Sequence, residues 1–274
     1  VKKAAPFVLV AFALAAAFLA SRGGPSRESL LPMSRAVAEH GKALDRGTAV
    51  VFPLSADEER AIGEKIDKEL SASDASVGRG EPDAARVALW KELGLEAAGS
   101  PLVTRFRGRY EFRGSRQAEV NAFAVPGGFV YATGGLLEKL HKDPDALLFV
   151  LGHEIGHVEL GHCADAYRLR AGAKDPLREI LGGVILIPRL LASLHFSPSQ
   201  ELESDAYAAR LMRSLKRDPA AGLRVFDALG LKADADTKRG PGEVAVEGLS
   251  DYFRTHPGSW ERRAALEREA RSSR

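Results

Sequence analysis

Residues 143–162 read Asp-Pro-Asp-Ala-Leu-Leu-Phe-Val-Leu-Gly-His-Glu-Ile-Gly-His-Val-Glu-Leu-Gly-His, and the rest of the chain is arranged around them. The first three residues are a helix start. Asp143 suits the N-cap, Pro144 the first turn, and Asp145 the positive end of the helix dipole. The spacing predicts a helix from there to about Gly161. His153 and His157, four residues apart, then fall on one face, one turn from each other, so both imidazoles reach the same ion. Glu154 is rotated about 100° from His153, beside the ion but outside its ligand set. Such a pattern implies a metal site with a carboxylate base for water.

Two histidines are not enough for a catalytic zinc, which needs a third protein ligand and an open position. A second helix, predicted from about Ser199 to Arg217 and stopped by Asp218-Pro219, offers Glu201 and Asp205, again one turn apart. Glu201 is placed to complete the metal set, and Asp205 to orient a ligand imidazole through its other nitrogen. Glu203 competes for the ligand role by residue type, but it projects from the opposite side of that helix. His162, nine residues after His153, faces away from the metal if its helix continues.

Upstream, Ser55 and Glu58 are spaced as a capping box, followed by Ile62, Ile66 and Leu70 at helical intervals. That helix is expected to end at Leu70, with a loop over 71–82 and a second helix over Pro82–Leu93. From Leu102 the period is two: Phe106, Gly108, Tyr110 and Phe112 alternate with Arg105, Arg107, Arg109, Glu111 and Arg113, predicting a half-buried strand with a solvated basic face. Asn121–Pro126 and Phe129–Thr133 flank Gly127-Gly128 as a hairpin. Downstream, an apolar stretch over 180–196, interrupted by glycines, Pro188 and Arg189, reads as a core helix or hairpin. A loop around 233–243 leads to a last helix from about Ser259.

The N-terminus has its own logic. Lys2 and Lys3 precede an apolar run from Ala4 to Ala20, the layout of a secretory signal, and about 17 apolar residues also suffice for an uncleaved anchor. Either way, everything after Ala20 is expected outside the cytoplasm, with membrane association possible through residues 4–20. Residues 1–21 are thus expected to be signal or anchor, 22–50 a linker and 51–274 the functional domain. The 39 Lys plus Arg against 37 Asp plus Glu leave a net charge of +2, no electrostatic reason for a nucleic-acid partner. With Cys163 as the one cysteine, an intrachain disulfide is excluded.

The linked motifs resemble the gluzincin metallopeptidases of the CAAX prenyl protease and HtpX type, which include soluble periplasmic and mitochondrial members. The similarity is carried by Ser55–Leu70, Val120–Gly128, Thr133–Leu137, Leu151–His162, Glu201–Asp205 and His256-Pro257 through Arg262, and it spans about 52–270. It implies an α+β, mainly helical zincin-like domain with a small sheet before the H-E-x-x-H helix, and one Zn2+ per chain. His153, His157 and Glu201 would be its ligands, with Glu154 catalytic and Asp205 behind a ligand imidazole. It also implies polypeptide substrates, lying extended beside the hairpin that begins at Asn121, with His256 and Arg262 as candidates near the oxyanion or substrate. Misfolded envelope proteins of a bacterial periplasm are the expected targets. The alternative is an envelope chaperone or assembly factor using the same cleft without essential proteolysis. Two departures stand out: Ser204 where alanine is usual, and Pro198 where arginine is frequent.

Overall fold

A three-stranded sheet and eight helices make up the described structure, in the order α1 (Ala56–Ser76), α2 (Ala84–Ala98), β1 (Glu111–Ser115), β2 (Ala122–Val125), β3 (Phe129–Thr133), α3 (Gly134–Leu140), α4 (Pro144–Glu159), α5 (His162–Arg170), α6 (Pro198–Ser214), α7 (Ala221–Ala228) and α8 (Trp260–Arg271).

 The computed structural model describes residues 54–76, 83–170, 196–230, 256 and 260–271, all within the unit Ala43–Arg274. The expected signal or anchor, the linker, the interrupted apolar stretch up to residue 195 and the loop around 233–243 lie outside the described residues. No helix among the described residues is long and apolar enough to cross a membrane.

Helix α1 begins as its sequence predicts: the Glu58 amide donates to Ser55 Oγ at 3.2 Å, and the Ser55 amide donates to Glu58 Oε2 at 2.7 Å. It buries Ile62 and Ile66 completely. It runs past the expected end at Leu70 to Ser76, because residues 71–76 include no glycine or proline to stop it. Helix α2 starts two residues later than predicted. Asp83 is its N-cap, accepting from the Ala85 and Arg86 amides, so Pro82 precedes the cap. The mid-helix Gly94 is explained by the sheet: a Cβ there would lie 2.4 Å from the Phe112 ring.

The strand predicted over 105–113 is the main correction to the fold. Only Glu111–Ser115 is strand. The preceding residues turn around Glu159 at the end of α4, whose carboxylate accepts from the Thr104 amide at 2.8 Å, the Arg105 amide at 3.0 Å and the Tyr110 hydroxyl at 2.7 Å. The period-two pattern arises instead because Phe106 and Tyr110 enter the core while Arg105, Arg109 and Arg113 pair with α1 and Arg107 donates to the Ser100 and Pro101 carbonyls. Arg105 binds Glu59, Arg109 reaches Asp57 at 3.2 Å, and Arg113 reaches Asp67 at 3.0 Å. What reads as a solvated basic face is largely an ion-pair seam.

The hairpin forms as expected. β3 is the central strand, antiparallel to β2 and parallel to β1, and buried throughout. The tight turn needs Gly127 and Gly128, whose φ values are +84° and +88°. Behind the sheet lies α4, capped by Asp143, which accepts from the Ala146 amide at 3.1 Å, and buried from Ala146 to Val158. Its closest partner is α6. A Cβ on Gly152 would stand 3.2 Å from the Ala208 backbone, and one on Gly156 would stand 3.3 Å from the Ser204 backbone. Small residues on both sides let the two helix backbones approach, and the small Ser204 fits that seam.

Candidate metal centre

The close approach of α4 and α6 brings their polar pairs together. His153 and His157 project from α4, with their Nε2 atoms 3.0 Å apart. Glu201 lies in the first turn of α6, which is set by a capping box: Ser197 Oγ takes the Gln200 amide and Gln200 returns to the Ser197 amide. The Glu201 carboxylate stands 3.4 Å from His153 Nε2 and 3.4 Å from His157 Nε2. Asp205, one turn further, holds His153 Nδ1 at 2.9 Å. His153, Glu154, His157 and Glu201 are all completely buried.

Two residues from beyond position 250 close the group. His256 Nδ1 lies 3.2 Å from His153 Nε2 and 3.2 Å from Glu201 Oε1, and its Nε2 is 3.4 Å from Glu154 Oε1. Arg262 lies behind the carboxylates. Its Nε and Nη2 each donate to Asp205 at 2.7 Å, and its Nη1 stands 2.7 Å from Glu201. The resemblance brought Arg262 forward as a candidate beside the substrate; the structure places its guanidinium between Asp205 and Glu201. Asn121 stands at the entrance to β2, its backbone tied to Thr133. Phe196 stacks on the His157 ring with centroids 3.7 Å apart.

Sequence reasoning missed His162. It does not face away. The helix breaks at Gly161, where φ is +80°, so phase is not carried across, and His162 Nδ1 lies 3.1 Å from His157 Nδ1. Glu203, weighed above as a rival ligand, reaches His162 Nε2 at 3.2 Å instead. The glycine just before His162 was the available signal, since glycine ends helices readily.

The electrostatics of the group favour a cation. Burial would raise the Glu201 carboxyl, but Arg262, His256 and the two α4 imidazoles hold it well below the usual carboxylate range. Burial and Arg262 act in the same opposed way on Asp205, with the same net lowering. For His153, burial favours the neutral ring, yet the Asp205 and Glu201 carboxylates outweigh it and raise the pKa to about 9. Positive charge is therefore favoured between His153 and Glu201. Burial drives His157 well below its ordinary value and so keeps it neutral, as a metal ligand must be. Glu154 is raised by burial, and neither of its oxygens makes a hydrogen bond among the described residues.

The donor set passes a geometric test for a metal. One ligand atom from each of His153, His157, Glu201 and His256 lies within 4.8 Å of the others. Tetrahedral zinc with ligand bonds of about 2.05 Å would separate its donors by about 3.3 Å, and the contacts given above run from 3.0 to 3.4 Å. Facing imidazole nitrogens that close together cannot both carry a proton without repulsion. Two nitrogens and a carboxylate converging in a dry site suit a cation.

Comparison with known proteins agrees with this geometry. The profile of peptidase family M48 matches residues 88–270, about two thirds of the chain. The chain belongs to peptidase family M48. The match runs from within α2 to the end of α8 and includes every residue of the centre. Among relatives in this family's range, the chain is similar to the mitochondrial metalloendopeptidase OMA1 of Arabidopsis thaliana, 27% identical over 154 residues, 54% of this chain and 29% of that protein. It is also similar to the metalloprotease LoiP of Escherichia coli (strain K12), 29% identical over 155 residues, 53% of this chain and 56% of that protein. The chain thus spans less than two thirds of the length of both.

Proposed function

We propose that this chain is a zinc-dependent metalloendopeptidase that cuts polypeptides outside the cytoplasm, with unfolded or unassembled envelope proteins as its substrates. The observation that carries the proposal is the meeting of His153, His157 and Glu201 around one buried point, with the carboxylate of Glu154 beside it. Family membership and the printed names of the two relatives support the same reaction class. Zinc held by those three residues would supply Lewis acidity, lowering the pKa of water to about 7 and polarising a carbonyl.

The chain's own groups supply the rest. Glu154, whose burial raises its affinity for a proton, would take the proton from the attacking water and return it to the leaving amine. His256, 3.4 Å from Glu154, stands on the same side and would meet the substrate at that point. The Thr133 amide donates to Asn121 O, so the antiparallel alternation turns the backbone groups of Ala122 and Ala124 to the outer edge of β2. An extended substrate would add there as a further strand. The Ala124 carbonyl already accepts the Cys163 thiol at 3.6 Å, a weak bond that an incoming amide would replace.

The test is direct. Purified protein should contain one zinc per chain and degrade a denatured protein. Glu154→Gln should keep the zinc and lose about 10²–10⁴-fold in turnover. Stoichiometric zinc with no cleavage of any denatured substrate would refute the hydrolase, and full complementation by Glu154→Gln in cells would favour the chaperone.

A further inference from the structure

The second metal-facing imidazole, that of His157, has an outer partner of its own. Helix α4 stops at Leu160 and Gly161, and α5 restarts at His162, which turns its ring back toward the centre. His162 Nδ1 lies 3.1 Å from His157 Nδ1, the rings 5.1 Å apart at 66°. On its other side, His162 Nε2 lies 3.2 Å from the Glu203 carboxylate. The Ser204 hydroxyl is 3.4 Å from the same Nδ1, the longer of its two contacts. His162 itself is only 4% exposed, whereas the Glu203 side chain reaches the surface.

Proton bookkeeping gives this row of atoms one consistent arrangement. A ligand imidazole must present a bare nitrogen to the ion, so His157 Nε2 carries no proton and Nδ1 carries it. His157 Nδ1–H then donates, and His162 Nδ1 must accept. A neutral His162 that accepts at Nδ1 carries its proton on Nε2, which points at Glu203, an acceptor. We infer that His162, anchored by Glu203, is a positioning residue that fixes the tautomer and ring orientation of His157. It mirrors the role of Asp205 behind His153, but with a neutral ring next to the ligand and the charge one residue further out. This rests on the reading of the centre as a zinc site.

The full chain, labelled with nitrogen-15 in histidine and loaded with zinc, tests the tautomers. His162 should give the Nε2–H form with a bare Nδ1, and His157 the Nδ1–H form; a proton on His162 Nδ1 overturns the inference. Zinc affinity, read by competition with a chromophoric chelator, tests the consequence. His162→Leu, which removes the acceptor, should weaken binding by about 10–100-fold. His162→Asn, whose side-chain oxygen can stand near the position of Nδ1, should stay within about threefold of wild type. An unchanged affinity in His162→Leu, or an equal loss in both variants, overturns it. Should His162→Leu fail to fold, the tautomers of the wild-type chain decide. A wild-type chain that binds no zinc overturns the zinc reading and this inference together. Zinc binding that His162→Leu leaves unaffected overturns this inference alone.

Discussion

Arg262 shows how much of the centre hangs on a residue that lies behind the carboxylates. Its guanidinium spans two buried carboxylates, and removing it leaves both without their main counter-charge. In the zinc-free protein, Arg262→Met is expected to cost about 3–5 kcal/mol, measured by urea unfolding in the presence of a chelator. Zinc in the proposed site should return part of that loss, since it would offset the charge of Glu201 directly and that of Asp205 through His153. Arg262→Lys should not restore wild-type stability, because an ammonium cannot match the two-pronged contact with Asp205. The residues that hold the centre were legible to different depths. His153, Glu154, His157, Glu201 and Asp205 follow from helical spacing, since residues four apart on one helix share a face whatever the tertiary fold. His256 and Arg262 were found only by family resemblance, because more than 50 residues separate them from Glu201 and no local period connects them. His162 was misread because phase was extrapolated across a glycine.

Elements were legible where a cap announced them. Asp143 is the best case: it caps α4 and also ties that helix to α7 through Arg224, whose Nε donates to its carboxylate at 2.6 Å. The hydrogen bond from Arg224 outweighs the opposing effect of burial and holds the Asp143 carboxyl below its usual range. The folded-state pKa is thus depressed, so the contribution is complete above the unfolded value of about 3.9 and fades as pH falls through the lower folded value. Asp143→Ala should cost about 1 kcal/mol at neutral pH. In denaturant melts across pH, wild type and variant should converge toward acid, and a gap that persisted at pH 2 would contradict the assignment. The strand predicted over 105–113 is strand only from Glu111, for the opposite reason. Alternation of aromatic and charged residues is what a sheet face requires, but a turn that buries two aromatics and pairs its arginines with a neighbouring helix writes the same pattern. Glu159, the residue that organises that turn, lies 49 positions from Tyr110, beyond any local signal.

At the scale of the whole molecule, the metal should be a structural asset as well as a chemical one. The centre joins α4, α6 and the segment that includes α8, so a zinc ion held there would bind the folded form far better than the unfolded one. At free zinc about 1,000 times the dissociation constant, linkage stabilises the fold by about 4 kcal/mol. Chelation should therefore lower the midpoint of thermal unfolding reversibly, and an unchanged midpoint would argue that no ion is bound there. The α+β class and the hairpin before α4 were legible from period and turn residues. The parallel pairing of β1 with β3 was not, since register between strands separated by a hairpin leaves no mark on either sequence.

The division of the donor set between two helices has a kinetic consequence. His153 and His157 sit on one helix, but Glu201 is 44 positions further along, and the two helices meet through a tight seam in which an added Cβ at Gly152 or Gly156 would stand 3.2–3.3 Å from the backbone of α6. An unfolded chain offers the ion at best a pair of neighbouring imidazoles, so the complete grip exists only after docking. Zinc should accordingly prolong the life of the folded state while leaving the speed of its formation almost untouched. Stopped-flow refolding and unfolding, each with and without the ion, would separate the two rates.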